Sequence, residues 1–191
     1  MNVVFSDADK KLWVSLINED DEALSLLYKQ FIDVLYAFGL RFTQDGELVK
    51  DAIQDLFVDL HKYRKTLATD INVKSYLFTS LKRKIFLLLK KQAKQEDTNI
   101  NLTFSLLYTE DNQTDTDDHS AATLLKLKKQ LALLPGRQQE ALYLRFNSEL
   151  EYQEIASIMD ISIGTCRTLV YRGVKQLRER MVVKYIYKIL A

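Results

Sequence analysis

One proline and five glycines in 191 residues leave this chain few of the residues that tight turns between strands require. Apolar residues recur instead at intervals of three and four, as in Leu12, Trp13, Leu16 and Ile17, a spacing that places them on one face of an α-helix. The frequent Leu, Lys, Gln, Glu and Ala residues lose little free energy on entering a helix. We therefore expect an all-α protein.

Three more amphipathic stretches fill the first half of the chain. The first is DEALSLLYKQFIDVLYAFG, with Asp20 or Asp21 placed to cap its N-terminus. The second is GELVKDAIQDLFVDLHKY, in which Asp51, Gln54 and Asp55 share the face opposite the apolar stripe. After RKTLATDINV, which lacks periodicity and predicts a loop, VKSYLFTSLKRKIFLLLKKQ resumes the helical pattern with many basic residues.

Charge alternates along the chain, although the formal net charge is only +1. Residues 1–60 hold 5 basic and 12 acidic side chains, and residues 61–94 hold 10 and 1. Residues 95–125 hold 0 and 7, and residues 126–191 hold 12 and 6. Because phosphate binding requires local rather than net positive charge, two separated basic blocks indicate two surfaces for a polyanion, unless the charges are merely solvated.

Composition divides the chain into two small helical domains, residues 1–92 and 123–191, joined by an acidic linker over residues 93–122. The linker is rich in Asp, Thr, Asn and Gln, apart from the apolar island LTFSLLY. Low hydrophobicity with unbalanced charge predicts a flexible segment. Beyond it, LLKLKKQLALL predicts a helix, and Pro135 is compatible with the start of the next, GRQQEALYLRFN.

The stretch YQEIASIMDISIGTCRTLVYR predicts a helix-turn-helix in the second domain. Asp160 occupies the turn, where a left-handed backbone is needed, and Ser162 is placed to cap the second helix. With Ile155, Met159 and Cys166 facing inward, the remaining side chains form a face suited to the DNA major groove. That outward face comprises Thr165, Arg167, Thr168, Tyr171, Arg172 and Lys175. The alternative is a helical hairpin with solvated arginines.

Other functional classes find no support in the residues. Cys166 is the only cysteine, and the two histidines lie in different segments, so no metal site or disulfide is expected. No catalytic group or cofactor motif stands out, and we expect a protein that is not an enzyme. No apolar run approaches the roughly 20 residues of a membrane helix, and the N-terminus lacks a signal-peptide pattern, so a cytoplasmic protein without membrane insertion is expected.

Three segments together resemble the extracytoplasmic-function sigma factors, the two-domain initiation subunits of bacterial RNA polymerase in the sigma-70 family. The first runs from DEALSLLYKQFIDVLYAFGLRF to VKDAIQDLFVDLHKY and contains the Asp-x-x-Gln-x-x-Phe pattern of the family. The second is VKSYLFTSLKRKI, and the third extends from LLPGRQQEALYLRF through the helix-turn-helix. The resemblance covers most of the chain and makes residues 1–92 a region 2 domain and residues 123–191 a region 4 domain.

The resemblance implies a role for each surface. Asp51, Gln54 and Asp55 would bind the clamp coiled coil of core RNA polymerase, and Phe57 would lie in the core. The face of the second helix of the helix-turn-helix would read the minus-thirty-five element. The polymerase flap and an anti-sigma factor are further implied partners. The residues implied for minus-ten promoter DNA are Tyr63, Arg64, Lys65, Asn72, Lys74, Tyr76, Lys82, Arg83 and Lys84.

Two other functions remain open at this point. A transcription regulator could share the helix-turn-helix and use residues 1–90 to sense a ligand or dimerise. A helical adapter could use the acidic helix for protein contact and bind no DNA. The basic, aromatic-bordered block at residues 61–94 favours the sigma factor, because a dimerisation domain has no need of it.

Overall fold

The structure, a computed structural model, describes residues 7–96, 103–106 and 118–190, and the regular secondary structure within these ranges is helical. Of the described residues, those in the N-terminal half form four helices and a 3-10 turn at Arg64–Thr66. Those in the C-terminal half form four more helices, and a π-helical turn, Tyr143–Asn147, follows α6 directly. The helices are α1 Asp7–Ile17, α2 Asp21–Gly39, α3 Gly46–Tyr63, α4 Val73–Glu96, α5 Asp118–Ala132, α6 Gly136–Leu142, α7 Tyr152–Met159 and α8 Ile163–Leu190.

Helices α1 to α4 pack around one apolar core. The stripes that the periodicity predicted are buried, with Leu16, Leu27, Leu56 and Leu81 among the fully enclosed side chains. The carboxylate of Asp20 accepts the backbone N–H groups of residues 22 and 23 and so caps α2. Of the two candidate caps, Asp20 is the one used.

The loop between α3 and α4 is held by a tryptophan. Trp13 is fully buried, and its indole Nε1 donates to the carbonyl oxygen of Ala68 at 2.9 Å. The Tyr76 ring packs against the same indole, with 5.3 Å between ring centroids. The predicted loop is therefore fixed at its middle by a core side chain.

In the C-terminal half, α6 and α7 pack on α8. Pro135 precedes α6 with an extended backbone (φ −55°, ψ 141°), which suits a residue without an N–H group. Gly173 of α8 allows a close approach to α6, because a Cβ there would lie 2.9 Å from Leu142 Cδ1. The small residue thus sets the spacing of the two helices.

The two halves pack on each other through α4 and α7, and a piece of the linker lies between them. Phe104 is 3% exposed, and its ring is 5.3 Å from that of Phe42 and 5.5 Å from that of Tyr143. Residues 103–106 of the predicted linker are therefore packed between the two halves, because the apolar island finds an aromatic site that its own sequence does not reveal. Residues 97–102 and 107–117 of the predicted linker lie outside the described residues.

Gly39 provides a test of how tightly the first core is packed. A Cβ at this position would lie 2.5 Å from Val49 Cγ1 of α3 and 3.2 Å from Ile85 Cδ1 of α4. Overpacking of this kind costs about 1–3 kcal/mol, so we expect Gly39→Ala to lower the urea midpoint followed by circular dichroism.

The matched control is Gly164→Ala, because the nearest atom to a Cβ there, Ser162 Oγ, is 3.8 Å away. This change is expected to be neutral or to stabilise the protein by up to about 1 kcal/mol, since alanine has the higher helix propensity. Equal effects of the two substitutions would show that the packing around Gly39 is not tight.

Candidate nucleic-acid and protein-docking surfaces

The helix-turn-helix is formed by α7, a short turn and α8, and the turn and the start of α8 are as the sequence predicts. Asp160 has a left-handed backbone (φ 52°, ψ 57°), and Ser162 Oγ accepts the N–H of Thr165 at 3.1 Å. A capping box joins Glu151 and Glu154 at the start of α7. Ile155, Met159 and Cys166 are buried between the helices. The local geometry is that of the predicted motif.

The outward face of α8 is exposed along its first three turns. All six predicted side chains, Thr165, Arg167, Thr168, Tyr171, Arg172 and Lys175, lie on it. Tyr171 is 67% exposed, so its ring is accessible to a binding partner. The face offers guanidinium and hydroxyl donors together with a ring, the groups that bond base edges and phosphates.

Tyr152, which the sequence analysis did not single out, lies between two guanidinium groups. The Cζ of Arg145 is 5.0 Å from the ring centroid and that of Arg167 is 5.7 Å from it. Arg145 is itself held, because it donates to the Leu150 carbonyl oxygen at 2.8 Å. Since cation–π contacts attract within about 6 Å, Tyr152 restrains Arg167 on the outward face.

The polar face of α3 is a second exposed surface. Asp51, Gln54 and Asp55 are all exposed, and Val58 beside them is 55% exposed. Phe57 is buried, and its ring meets that of Tyr28 edge-on with 5.0 Å between centroids. We refer to Asp51, Gln54, Asp55 and Val58 as the acidic face. Val58 adds an apolar contact that the charge pattern alone did not indicate.

Two basic residues just after α3 form ion pairs with acidic residues at the start of α2 and in the turn before it. Arg64 is only 13% exposed in its side chain and donates to Asp21 Oδ1 at 2.5 Å. Lys65 forms an ion pair of 3.0 Å with Glu19. The hydrogen bond and charge of Arg64 hold the pKa of the Asp21 carboxyl below its usual value. Tyr63 nearby is exposed, with Lys62 Nζ 5.1 Å from its ring centroid.

The predicted residues on and before α4 divide into two groups. Asn72 caps α4, accepting the N–H of Ser75 at 2.7 Å, and its amide also donates to Glu154 of α7. Lys74 Nζ donates to the Ser148 carbonyl oxygen at 2.5 Å. Lys82 forms an ion pair of 2.5 Å with Glu140. These three side chains therefore contact the C-terminal half.

The second group packs on the N-terminal half or is exposed. Lys84 pairs with Asp59 of α3 at 2.6 Å, and Arg83 is exposed. Tyr76 is half-buried against Trp13. The fold thus does not gather the nine predicted minus-ten residues into one open groove, because salt bridges and caps within the chain hold most of them.

An apolar cleft of about 1080 Å³ opens between α2, α5 and α8. Leu125 and Phe146 line it and are exposed, and Leu177 and Met181 contribute from α8. Lys129 and Arg178 lie among the polar groups of its lining. The cleft combines apolar walls with positive charge.

Over residues 7–96, 103–106 and 118–190, no three His, Cys, Asp or Glu side chains are grouped so that they could hold a metal ion. No helix in these ranges combines the length and the apolar character that crossing a bilayer requires.

Two separate parts of the chain match protein-family models. Residues 27–95 match the family model "Sigma-70 region 2", and residues 124–177 match "Sigma-70, region 4". The chain is 26% identical over 156 residues to the ECF RNA polymerase sigma factor SigM of Bacillus subtilis. The aligned residues cover 80% of this chain and 91% of SigM. It is 24% identical over 160 residues to the RNA polymerase sigma factor YlaC of the same organism, covering 84% and 92% of the two chains.

Two solved structures have a similar fold. One is the sigma factor RpoE in complex with the anti-sigma factor NepR from Bartonella quintana, with a TM-score of 0.60, 23% identity, and coverage of 83% of this chain and 96% of that one. The other is CnrH in complex with the cytosolic domain of CnrY, with a TM-score of 0.61, 17% identity, and coverage of 93% and 99%. Both likenesses concern the fold.

Cys166 reports on closure of the helix-turn-helix interface. Its side chain is fully buried, and burial raises the pKa of the thiol although Arg145 and Arg167 oppose the shift. Since the thiolate is the reactive form, we expect a disulfide reagent to modify the folded protein at pH 8 many times more slowly than the unfolded protein.

An exposed neighbour supplies the control. The double variant Cys166→Ser/Thr165→Cys moves the thiol by one residue to the outward face, where it should react rapidly in the folded protein. Similar rates for Cys166 and this control would mean that the interface between α7 and α8 opens readily.

Proposed function

The chain belongs to the sigma-70 family, as a sigma factor of the extracytoplasmic-function type that directs promoter recognition by RNA polymerase, and we propose that its two domains divide this task. The single observation that carries the proposal is the order of a region 2 match and a region 4 match along one chain. We assign residues 1–92 to polymerase binding and minus-ten recognition, and residues 123–191 to minus-thirty-five recognition. Residues 93–122 join them.

The exposed face of α8 is proposed to read the minus-thirty-five element. A helix of this kind fits the major groove of B-DNA, where arginine can bond guanine bidentately and threonine can contact methyl groups or phosphates. The Tyr152 ring restrains the Arg167 side chain before DNA binds. Arg167 therefore loses less conformational entropy when it enters the groove. Tyr171 and Arg172 extend the same face.

The acidic face of α3 is proposed to bind the clamp coiled coil of core polymerase. Its carboxylates are exposed and lie one helical turn apart, and Val58 beside them can be covered on binding. Complementary charge would speed the encounter, and burial of the apolar group would add affinity. We place this contact, and the whole protein, in the cytoplasm with the polymerase.

The minus-ten element is proposed to meet the residues around α4. The exposed Tyr63 ring is suited to stack on an unpaired base, and stacking of this kind contributes about 1–3 kcal/mol per base. Arg83 is exposed for phosphate contact, whereas Lys74 and Lys82 first have to leave their partners on the C-terminal half. Arg64, Lys65, Asn72, Tyr76 and Lys84 complete the proposed set.

Further protein contacts are proposed for the apolar cleft. An anti-sigma factor is a partner that the resemblance implies, and RpoE, which has a similar fold, was solved with the anti-sigma factor NepR. An apolar helix would cover Leu125 and Phe146, which are otherwise exposed. The polymerase flap is a second implied partner. No reaction catalysed by the chain itself is proposed.

Binding to core polymerase tests the proposed function. We expect the purified protein to co-elute with sigma-free core RNA polymerase in gel filtration at micromolar concentration, and Asp51→Lys/Asp55→Lys to abolish co-elution by reversing the charge of the acidic face. The control Asp33→Lys/Glu179→Lys makes the same charge change at exposed positions elsewhere and should still co-elute. Absence of any complex with the unaltered protein would refute the proposed role of residues 1–92 in polymerase binding.

Substitution of Tyr152 tests whether the outward face of α8 binds the minus-thirty-five element. Loss of an exposed cation–π contact costs about 0.5–1 kcal/mol, so we expect Tyr152→Ala to weaken holoenzyme binding about two- to fivefold on duplex DNA chosen by in vitro selection.

Tyr152→Phe keeps the ring and is the matched control, which should bind as the unaltered protein does. The effect should vanish in an Arg167→Ala background, because there the ring, which still contacts Arg145, no longer positions a guanidinium on the outward face of α8. An equal loss in that background would mean that Tyr152 acts only on stability.

A further inference from the structure

The apolar cleft between α2, α5 and α8 is lined by five parts of the chain. These parts contribute Ala37 of α2, Leu106 of the linker, Leu131 of α5, Phe146 of the π-helical turn and Leu177 of α8. The cleft volume of about 1080 Å³ is close to the upper end of the range of about 300–1,000 Å³ that small-molecule pockets occupy. A ligand in the cleft is therefore contacted from several sides.

The charged groups in the lining are all of one sign. Arg41, Lys128, Lys129 and Arg178 line the cleft, and among the described residues no acidic side chain does so. The Phe146 ring in the same lining is 65% exposed, so apolar surface and positive charge lie side by side in water. Covering the apolar surface is favourable, and the positive charge attracts an anion. The combination favours a ligand with an apolar body and one anionic group.

Lys129 and Arg178 are the cations best suited to hold that anionic group. They come from α5 and α8, which pack on each other, and both side chains are exposed. Lys175 of α8 forms an ion pair of 3.9 Å with Glu179, whereas within the described residues no ion pair involves Lys129 or Arg178. A guanidinium group can bond a carboxylate bidentately, and an ammonium group adds a point charge. The two side chains thus offer complementary partners to one carboxylate.

We propose that the cleft binds one long-chain fatty acid, whose alkyl chain lies against the apolar walls and whose carboxylate pairs with Lys129 and Arg178. The ionised carboxyl supplies the charge opposite to that of the lining. The alkyl chain has no polar group that needs a hydrogen bond inside the cleft.

This inference goes beyond the proposed function. The fatty acid and the apolar helix proposed for the same cleft both have to cover Leu125 and Phe146, which line it. The two ligands therefore exclude each other, so the acid competes with protein partners for the cleft. Only this competition rests on the proposed function, because binding of the acid needs no polymerase and no partner protein.

Binding is measured on the purified full chain with cis-parinaric acid, a fatty acid whose fluorescence rises in apolar surroundings. We expect saturable binding of the acid to a single site. Saturated acids should displace it, with affinity rising about fourfold per methylene from decanoate to myristate, because each buried methylene adds a similar hydrophobic free energy. Dodecanol and dodecylamine have the chain length of laurate but no anionic group, and they should compete at least about threefold more weakly than laurate.

Two variants test whether this cleft is the site. Lys129→Gln/Arg178→Gln removes both cations and should weaken laurate binding about three- to tenfold while leaving dodecanol binding unchanged, since only the acid has a charge to lose. Ala37→Trp fills the cleft from α2 and should abolish parinarate binding. The matched control Lys91→Gln/Arg180→Gln makes the same charge change at exposed positions outside the lining and should bind as the unaltered protein does. Circular dichroism verifies that each variant keeps its helices.

Each contrary outcome has a definite meaning. Absence of saturable parinarate binding by the unaltered protein would overturn the inference, and so would laurate binding that Lys129→Gln/Arg178→Gln does not weaken. Equal affinity for laurate and dodecanol would overturn recognition of the carboxylate. Sedimentation with phosphatidylglycerol vesicles that contain no fatty acid would assign the cations to a membrane surface instead. Failure to co-elute with core polymerase would refute the proposed polymerase binding and leave these binding results as they are.

Discussion

The ring of Phe38 is the point on which the packing of the two halves depends. It contacts the rings of Phe42 and Phe78 within the first domain, with centroids 5.1 and 4.7 Å away. Its ring centroid also lies 6.3 Å from that of Phe104 in the linker and 6.2 Å from that of Tyr143 in the second domain. Aromatic rings bury large areas and attract each other beyond the area they bury. This cluster therefore makes one continuous core from segments that have separate helical patterns.

The folded structure also determines which basic side chains already have an acidic partner. The basic block after α3 has the composition of a nucleic-acid-binding surface, yet Arg64, Lys65 and Lys84 each have an acidic partner within the first domain. Lys82 has its partner in the second domain. A charge pattern along the sequence identifies groups that can bind phosphate, but the fold decides which of them are already neutralised.

Features of the fold set by neighbours in sequence were predictable. The cap of α2 by Asp20, the left-handed turn at Asp160 and the cap by Ser162 depend on residues two to five positions away. The exposure of Asp51 and Asp55 and the burial of Phe57 follow from the helical period of α3. The roles of Val58, Tyr152 and Glu140 were not predictable from the helical periodicity. Val58 matters because it is exposed beside the acidic face, and Tyr152 and Glu140 matter because of the basic partners that the fold brings to them.

The sequence by itself determined the helices, their caps, the faces they expose and the family to which the chain belongs, since these depend on local periodicity and on motifs read in order. Only the tertiary structure decided that Phe104 enters an aromatic site, that the Asn72 amide donates to Glu154 of α7, and that Lys82 faces Glu140, 58 positions further along the chain. The physical reason is that a buried ion pair or ring contact is selected by complementarity between distant surfaces. Nothing in the local spacing of Lys82 or Phe104 specifies which distant surface that is.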